Sequence, residues 1–350
     1  MDLKEIRGKA RALAKGYCRV CPSCNGWGCA GEIPGMGGAG TAASFKRNLR
    51  ALANLEFATS LIHEVRRPEL ATEVMGIALS MPLMIAPIGG ISFNLGGPVG
   101  EGDYQRAIGE GALAAGISCG TPDAAAEGVF EVGLAEAGKP LGGGIMPFVK
   151  PWEPELVREK LALANAAGCR TVAMDLDSVG LATLRLMKRP CLPKSLKELS
   201  EIIADAHSLG LKFALKGVMT PQDAIRAVEA GADGIVVSNH GGRVMDFMPG
   251  TADILRATAA AVKGKAAVFC DGGVRAGGDI LKLLALGADC VMVGRPFAVA
   301  AVGGGAEGVR LQAEEYRQEL ETAMVMTATP SIHAVSPAIL RQRSSGAMPM

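Results

Sequence analysis

The sequence predicts a (β/α)₈ (TIM) barrel preceded by a Cys-rich N-terminal segment. Eight short apolar runs recur from about residue 81 onward, at residues 82–87, 116–120, 144–149, 171–177, 212–217, 234–240, 267–273 and 290–296. Helix-like segments separate these runs, and near-continuous apolar strands that alternate with helices are typical of a parallel sheet buried on both faces. Eight such units close most economically into a barrel, although an open doubly wound sheet has the same alternating pattern.

The segments between the runs carry helix start and stop signals. In "TPQDAIRAVEAG", Thr220 is suited to the N-cap, Pro221 to the first helical position and Gly231 to the C-terminal stop. Residues 229–238 and 285–294 repeat the same order of helix end, Gly-Ala-Asp turn and apolar strand, which indicates a repeated structural unit.

The repeat divides the chain into two parts. We predict that residues 1–44 form an N-terminal helix and Cys-rich segment, and that residues 45–350 form the barrel domain. Residues 305–350 are expected to supply the last helix, around "GVRLQAEEYRQELETAMVMTA", and a tail.

The charge pattern favours a small-molecule ligand. Lys and Arg number 36 against 35 Asp and Glu, well mixed along the chain, so there is no basic face for nucleic acid. The longest uncharged stretch, residues 74–100, contains three prolines and several glycines, which a bilayer helix rarely tolerates. We therefore expect no nucleic-acid partner, no membrane association and a cytoplasmic location.

The nine cysteines fall into two groups. Five are scattered, several of them in apolar runs, and are expected to act as small core residues in a reducing compartment: Cys119, Cys169, Cys191, Cys270 and Cys290. The other four, Cys18, Cys21, Cys24 and Cys29, follow the spacing C-x2-C-x2-C-x4-C, close to a ferredoxin-like run. Four thiolates could hold an iron–sulfur cluster or a zinc ion, and a redox-sensitive or structural thiol patch is the alternative.

Polar residues follow the later strands. In a barrel of this kind the functional site lies at the carboxyl ends of the strands. The residues that close strands four to eight are Asp175, Asp177, Lys216, Ser238, Asn239, His240, Asp271, Gly294 and Arg295. Clustered ionisable groups are costly to bury unless a site requires them, so their convergence on one rim predicts a functional site.

The loops after strands seven and eight indicate an anion site. Residues 271–275, Asp-Gly-Gly-Val-Arg, contain glycines whose backbone can approach a ligand, and Gly294 and Arg295 follow the neighbouring strand. Phosphate sites in barrels are commonly built from these two loops.

His240, Arg243, Asp177 and Lys216 suggest proton abstraction from a carbon acid or an alcohol that also carries an anionic group. A neutral imidazole can accept the proton, and a carboxylate can fix its tautomer and stabilise the imidazolium. A guanidinium can bind a substrate carboxylate with two hydrogen bonds, and a lysine can stabilise negative charge that develops nearby.

Three stretches resemble the FMN-dependent α-hydroxy acid oxidase and dehydrogenase family: "SMPLMIAP" (80–87), "KGVMTPQDAIRAVEAGADGIVVSNHGGRVMD" (216–246) and "FCDGGVRAGGDILKLLALGADCVMVGRP" (269–296). The resemblance implies a (β/α)₈ barrel with FMN at its mouth that oxidises a 2-hydroxy acid to a 2-keto acid. It also implies a homo-oligomer, a tetramer in this family.

The resemblance implies roles for matching residues. His240 corresponds to the base, Asp177 to its partner and Arg243 to the anchor of the substrate carboxylate. Lys216 corresponds to the residue beside flavin N1, and the other cofactor-binding positions correspond to Pro87, Ile88, Gly89, Ser238, Asp271, Gly272, Gly273, Val274, Arg275, Gly294 and Arg295.

The chain also departs from the family pattern. The N-terminal position of a substrate-facing tyrosine falls in the glycine-rich residues 31–40, and a second tyrosine is replaced by Phe148. Met146 occupies the position of the usual family glutamine, and Asp175 occupies the position of the usual threonine. These departures leave two alternatives: an FMN-binding redox sensor without turnover, and another FMN barrel reaction such as that of type 2 isopentenyl diphosphate isomerase. The intact His-Gly-Gly-Arg element argues against the isomerase. The residues are equally compatible with oxygen and with another electron acceptor.

Overall fold

The computed structural model describes residues 1–343 and contains a closed barrel of eight parallel strands. The strands are β1 (Leu83–Ile85), β2 (Ser118–Thr121), β3 (Met146–Val149), β4 (Thr171–Asp175), β5 (Lys212–Val218), β6 (Gly234–Val237), β7 (Ala267–Asp271) and β8 (Cys290–Val293). Closure is completed by β8 and β1, in which Val291 lies opposite Leu83. The predicted (β/α)₈ barrel is therefore confirmed, and the open sheet is wrong.

The α-helices span Leu3–Leu13, Ala43–Ala53, Ile91–Asn94, Glu101–Ala115, Val129–Val132, Pro154–Ala166, Ala182–Leu186, Leu196–Ser208, Pro221–Glu229, Thr251–Val262, Gly277–Ala285 and Arg295–Met326. A π-helix covers Gly133–Gly138, and 3₁₀ turns cover Leu176–Gly180, His240–Gly242, Ile332–Ala334 and Pro337–Ile339. Two antiparallel pairs lie outside the barrel: Leu55–Phe57 with Leu340–Gln342, and Thr72–Val74 with Ile77–Leu79. Within residues 1–343 no helix is both long and apolar enough to cross a membrane.

Several strands are shorter than the apolar runs predicted. β4 ends at Asp175 and β6 ends at Val237, because a 3₁₀ turn follows each of them closely. Asp177 and His240 therefore sit on turns beyond the strand ends, where their side chains are not constrained by strand pairing.

A side-chain cap marks the start of helix Pro221–Glu229. Thr220 accepts a hydrogen bond from the Asp223 N–H at 3.1 Å, and Pro221 begins the helix, as predicted. Helix Gly277–Ala285 is capped by its own Asp279, whose carboxylate accepts the N–H of Arg275 at 3.0 Å. The last helix starts directly after β8 and is broken at Gly305, whose φ is +59°.

The barrel interior is closed at its amino end. Thr171, at the start of β4, donates a hydrogen bond to the carbonyl of Met75 at 2.9 Å, so the turn of the 72–79 hairpin covers this end. Met146 and Phe148 are fully buried in the interior cluster. The five scattered cysteines are all buried and free, as predicted. A functional site is therefore expected at the other end of the barrel, at the carboxyl ends of the strands.

The N-terminal segment crosses that carboxyl end. The Ala39 N–H donates to the carbonyl of Gly242 at 2.8 Å, and the Asp246 carboxylate accepts the N–H of Ala43 at 2.8 Å. The boundary proposed after residue 44 falls inside helix Ala43–Ala53, and the two-part division stays a prediction.

Candidate active site

A cleft of about 230 Å³ lies at the carboxyl ends of the barrel strands. Most predicted site residues line it: Pro87, Ile88, Gly89, Lys216, His240, Arg243, Asp271, Gly272, Gly273, Val274, Arg275, Gly294 and Arg295. Asp177 and Ser238 do not line the cleft directly. Asp177 contacts His240, and Ser238 contacts Asp271, and both of these partners line it. Thus the structure brings together residues from six barrel strands or the loops that follow them.

Four charged side chains form a buried cluster at the floor of this region. Asp175 accepts hydrogen bonds from the Nζ atoms of Lys216 and Lys150, each at 2.8 Å, and the Nζ of Lys216 lies 3.7 Å from Asp177. The side chains of Lys150, Asp175 and Lys216 are at most 6% exposed. Burial alone would raise the pKa of Asp175, but the two ammonium groups hold that pKa well below its usual value. The same pairing raises the pKa of Lys216 although burial opposes it, so the cluster is ionised.

His240 is oriented by this cluster. Its Nδ1 atom lies 3.0 Å from Asp177 Oδ1 and 3.1 Å from Lys216 Nζ. When Nδ1 carries the proton, it donates to Asp177, Lys216 donates to Asp175, and Nε2 keeps its lone pair. Burial opposes ionisation of Asp177, but Lys216 and His240 lower its pKa below the usual value. A neutral imidazole in this tautomer is a proton acceptor backed by a carboxylate.

The Lys216 ammonium supplies positive charge to a group of potential metal ligands. Asp175, Asp177 and His240 are the one group of at least three His, Cys, Asp or Glu side chains in residues 1–343 whose candidate ligand atoms all lie within 4.8 Å of one another. The Lys216 ammonium contacts all three.

The backbone at His240 follows a left-handed turn. The φ angles of His240, Gly241 and Gly242 are +56°, +61° and +78°. The side chain of Asn239 closes the turn by accepting the Gly242 N–H at 3.0 Å. A Cβ at Gly242 would lie 2.4 Å from the backbone nitrogen of Phe45, so the turn packs directly against helix Ala43–Ala53.

Replacement of Gly242 by alanine is expected to destabilise the protein by at least about 1–3 kcal/mol, because it combines a left-handed backbone with a clash against the main chain. Gly264→Ala is the matched control: its φ is +74°, and a Cβ there meets no atom within 4 Å. The control should show only the conformational cost, about 1 kcal/mol. Urea denaturation measures both, and equal losses would contradict the packing argument.

Arg243 is partly buried beneath the N-terminal segment. Its guanidinium donates to the carbonyls of Gly35 at 2.6 Å and Gly37 at 3.2 Å, and to Asn94 Oδ1 at 2.9 Å. These contacts use three of the five N–H donors of the side chain and leave two for a ligand. Burial lowers the pKa of Arg243 to about 10, so the group remains charged at neutral pH.

Two further arginines lie beside the cleft without a carboxylate partner among the described residues. Arg295 donates to the carbonyls of Met36 at 2.8 Å and Gly37 at 3.1 Å. Arg275 donates to the carbonyls of Val274 at 2.7 Å and Cys24 at 3.1 Å. Burial, and then the charge of Arg243, lower the pKa of Arg295 to about 9. Partly buried cations without a carboxylate partner favour an anionic ligand.

Gly272 and Gly273, which follow β7, also allow close packing of a neighbouring helix. A Cβ at Gly272 would meet the side chains of Thr251 and Asn48 at 2.9–3.0 Å, and one at Gly273 would meet the Asn48 backbone at 2.8 Å. The sequence suggested that these glycines make room for a ligand. They line the cleft, but they also allow helix Ala43–Ala53 to approach β7.

Sequence reasoning missed three residues of the site: Lys150, Asp123 and Asn94. Lys150 directly follows β3 and lines the cleft. Asp123, two residues after β2, accepts the Lys150 N–H at 3.0 Å and the Trp152 Nε1–H at 2.7 Å. The strand-end rule that identified the other residues applies equally to Lys150 and Asp123. No local signal marked Asn94.

The four N-terminal cysteines lie outside this cleft. They are partly buried, free, and line a second cavity behind Arg275 and Arg295. In residues 1–343 they do not form a group of three or more thiols within 4.8 Å of one another, so the compact thiol cluster expected for a bound zinc ion is not preformed.

The comparisons with known proteins agree on one family. The sequence model of FMN-dependent dehydrogenases matches residues 35–203 and 195–342. L-lactate oxidase of Lacticaseibacillus rhamnosus is 32% identical over 311 residues, which cover 80% of this chain and 81% of that protein. Glycolate oxidase 3 of Oryza sativa subsp. indica is 31% identical over 330 residues, covering 84% and 86% of the two chains.

The fold gives the same result. A solved structure of a mandelate oxidase variant with (S)-mandelic acid superposes with a TM-score of 0.78 at 27% identity, covering 99% of both chains. None of these relatives favours the isomerase or the sensor considered from the sequence. The chain therefore belongs to the family of FMN-dependent dehydrogenases, and it is a flavin enzyme.

Proposed function

We propose that this enzyme oxidises a small 2-hydroxy acid, similar to lactate or glycolate, to the 2-keto acid. The observation that carries the proposal is the placement of His240, backed by Asp177 at 3.0 Å, in the same cleft as Lys216 and Arg243. One base and one carboxylate anchor in a shared cavity suit a substrate that carries both a hydroxyl and a carboxylate.

The cleft residues fit FMN. Arg275 and Arg295 are cations without a carboxylate partner among the described residues, as a phosphate site requires. Asp271 Oδ1 is buried without a hydrogen-bond partner, although Ser238 donates to the other oxygen at 2.8 Å. A polyol hydroxyl would satisfy such an acceptor. Lys216 and the backbone of Pro87, Ile88 and Gly89 line the same cleft and would hold the ring system.

The proposed mechanism assigns one task to each residue. When bound, FMN supplies the acceptor for the hydride that leaves the substrate α-carbon. Arg243 binds the carboxylate with its remaining donors and orients the substrate. His240 takes the hydroxyl proton at Nε2, and Asp177 stabilises the imidazolium that results. Lys216 contributes a permanent positive charge that favours the build-up of negative charge beside it.

A panel of substrates tests this proposal. Glycolate, lactate and mandelate are added anaerobically to the FMN-loaded protein, each beside the amide of the same acid. At least one acid should bleach the flavin absorbance, and its amide should require about 10- to 100-fold higher concentration, because the charge-assisted contact to Arg243 is lost. A protein that binds FMN but is bleached by none of the acids would contradict the proposal and favour the sensor. Equal response to acid and amide would contradict the role of Arg243.

Location and assembly belong to the same proposal. We expect a cytoplasmic protein, and the nine free cysteines support a reducing compartment. A homo-oligomer, a tetramer by family resemblance, is expected and is measurable by light scattering.

A further inference from the structure

A second cavity, of about 260 Å³, lies next to the active-site cleft. Its walls come from helix Leu3–Leu13, the Cys-rich segment and helix Arg295–Met326. All four clustered cysteines line it: Cys18, Cys21, Cys24 and Cys29. No step of the proposed oxidation uses these thiols, so the cavity requires its own explanation.

The cavity wall is electropositive on the side of the barrel. Arg275 Nη2 lies 3.4 Å from Cys24 Sγ, and the side chain of Arg295 lines the same wall. The guanidinium groups of Arg275 and Arg295 therefore border the same cavity as the four thiols. A ligand that binds the thiols and carries negative charge would face both cations.

A buried hydroxyl also lacks a partner at this cavity. Tyr316 lines the wall, its side chain is fully buried, and its hydroxyl forms no hydrogen bond. An unsatisfied buried hydroxyl is costly, and a hydroxyl can act as a hydrogen-bond donor. An acceptor inside the cavity would remove that cost. This observation is independent of the cysteines and points to the same occupant.

The separation of the thiols argues against a single zinc ion. Four sulfurs at about 2.3 Å from one tetrahedral zinc lie about 3.8 Å from one another. In residues 1–343 no three of these cysteines come within 4.8 Å of one another. Thiols spread around a cavity instead suit a multinuclear group that binds each cysteine through a different part of its surface.

We infer that this cavity binds an iron–sulfur cluster through Cys18, Cys21, Cys24 and Cys29, with Arg275, Arg295 and the Tyr316 hydroxyl facing its negative charge. Cluster sulfides are hydrogen-bond acceptors, and donors of this kind tune the reduction potential of such clusters. Met36, Arg275 and Arg295 line both the cavity and the active-site cleft, so the cluster and the flavin would share one wall.

Metal and sulfide analysis of anaerobically prepared protein tests the inference. The full chain is purified without oxygen, reconstituted with ferrous iron and sulfide, desalted, and assayed for iron, acid-labile sulfide, zinc and FMN. Iron and sulfide should be retained in equal amounts, beside FMN. Cys21→Ala and Cys24→Ala should each lose most of both. Cys191→Ala, which changes a buried cysteine outside the cavity, should retain them.

Tyr316→Phe separates a ligand contact from a structural role. The variant keeps the ring and the cysteines, so iron content should be unchanged, while the reduction potential of the cluster should fall because one donor is lost. An unchanged potential would remove Tyr316 from the site.

Two results would overturn the inference itself. One is stoichiometric zinc without acid-labile sulfide. The other is protein that binds FMN and is bleached by a 2-hydroxy acid but retains no iron after reconstitution. Because FMN bleaching is measured on the same samples, failure of the cluster and failure of the proposed oxidation are distinguishable.

Discussion

Replacement of His240 by alanine is expected to slow the anaerobic reduction of bound flavin by a 2-hydroxy acid by about 10²- to 10⁴-fold, the range that a positioned general base contributes. The reason is the geometry at Nδ1, where Asp177 at 3.0 Å fixes the tautomer that leaves Nε2 free to accept the substrate proton. Stopped-flow absorbance under saturating substrate measures the rate directly.

His333→Ala is the matched control, since His333 is exposed and lies outside the cleft. It should reduce at the wild-type rate, and both variants should bind FMN in the wild-type amount. A His240→Ala protein that reduces within about tenfold of the wild type would exclude His240 as the base.

The second large effect concerns stability. Asp175→Asn is expected to destabilise the FMN-saturated protein by about 3–5 kcal/mol, because it leaves the buried ammonium groups of Lys150 and Lys216 with too little negative charge. In the wild type the two lysines are balanced by Asp175 and Asp177. Equilibrium urea denaturation with excess FMN measures the loss.

Two further variants test the reason for this loss. Asp205→Asn removes the partner of Arg158 in an ion pair whose side chains are 40% and 53% exposed, and it should cost under about 1 kcal/mol. Lys150→Met introduced together with Asp175→Asn should recover part of the stability, because the charge balance is restored. If the double variant is less stable than Asp175→Asn alone, charge balance is not what Asp175 provides.

Much of the barrel was predictable because its signals are local. Each strand is an apolar run that is recognisable within a few residues, and Thr220 with Pro221 marked a helix start that the structure contains. The strand ends were harder, because Asp177 and His240 belong to turns that depend on contacts across the rim. The close approach of Phe45 to Gly242 joins positions almost two hundred residues apart, and no local pattern records it.

The site residues likewise include some that local sequence signals predict and others that depend on tertiary contacts. Residues that end strands, such as Lys216 and Asp271, could be placed on one rim by topology alone. The pairing of Lys150 with Asp175 could not, because it requires that β3 and β4 be neighbours and that both side chains point to the same side. The spacing of the four cysteines indicated the type of ligand atom, but only the tertiary structure shows that they surround a cavity beside two arginines.

The hydrogen bonds that hold Arg243 in place have a consequence for sequence variation around the cleft. Two of its partners are main-chain oxygens, from Gly35 and Gly37, so no side chain of residues 35–37 is needed to keep it in place. Both positions require the lack of a side chain: Gly35 has a φ of +125°, and a Cβ at Gly37 would lie 2.1 Å from the carbonyl oxygen of Cys29. Side chains elsewhere around the cleft can therefore differ between homologues that keep these two glycines, without disturbing the residue proposed to bind the substrate carboxylate.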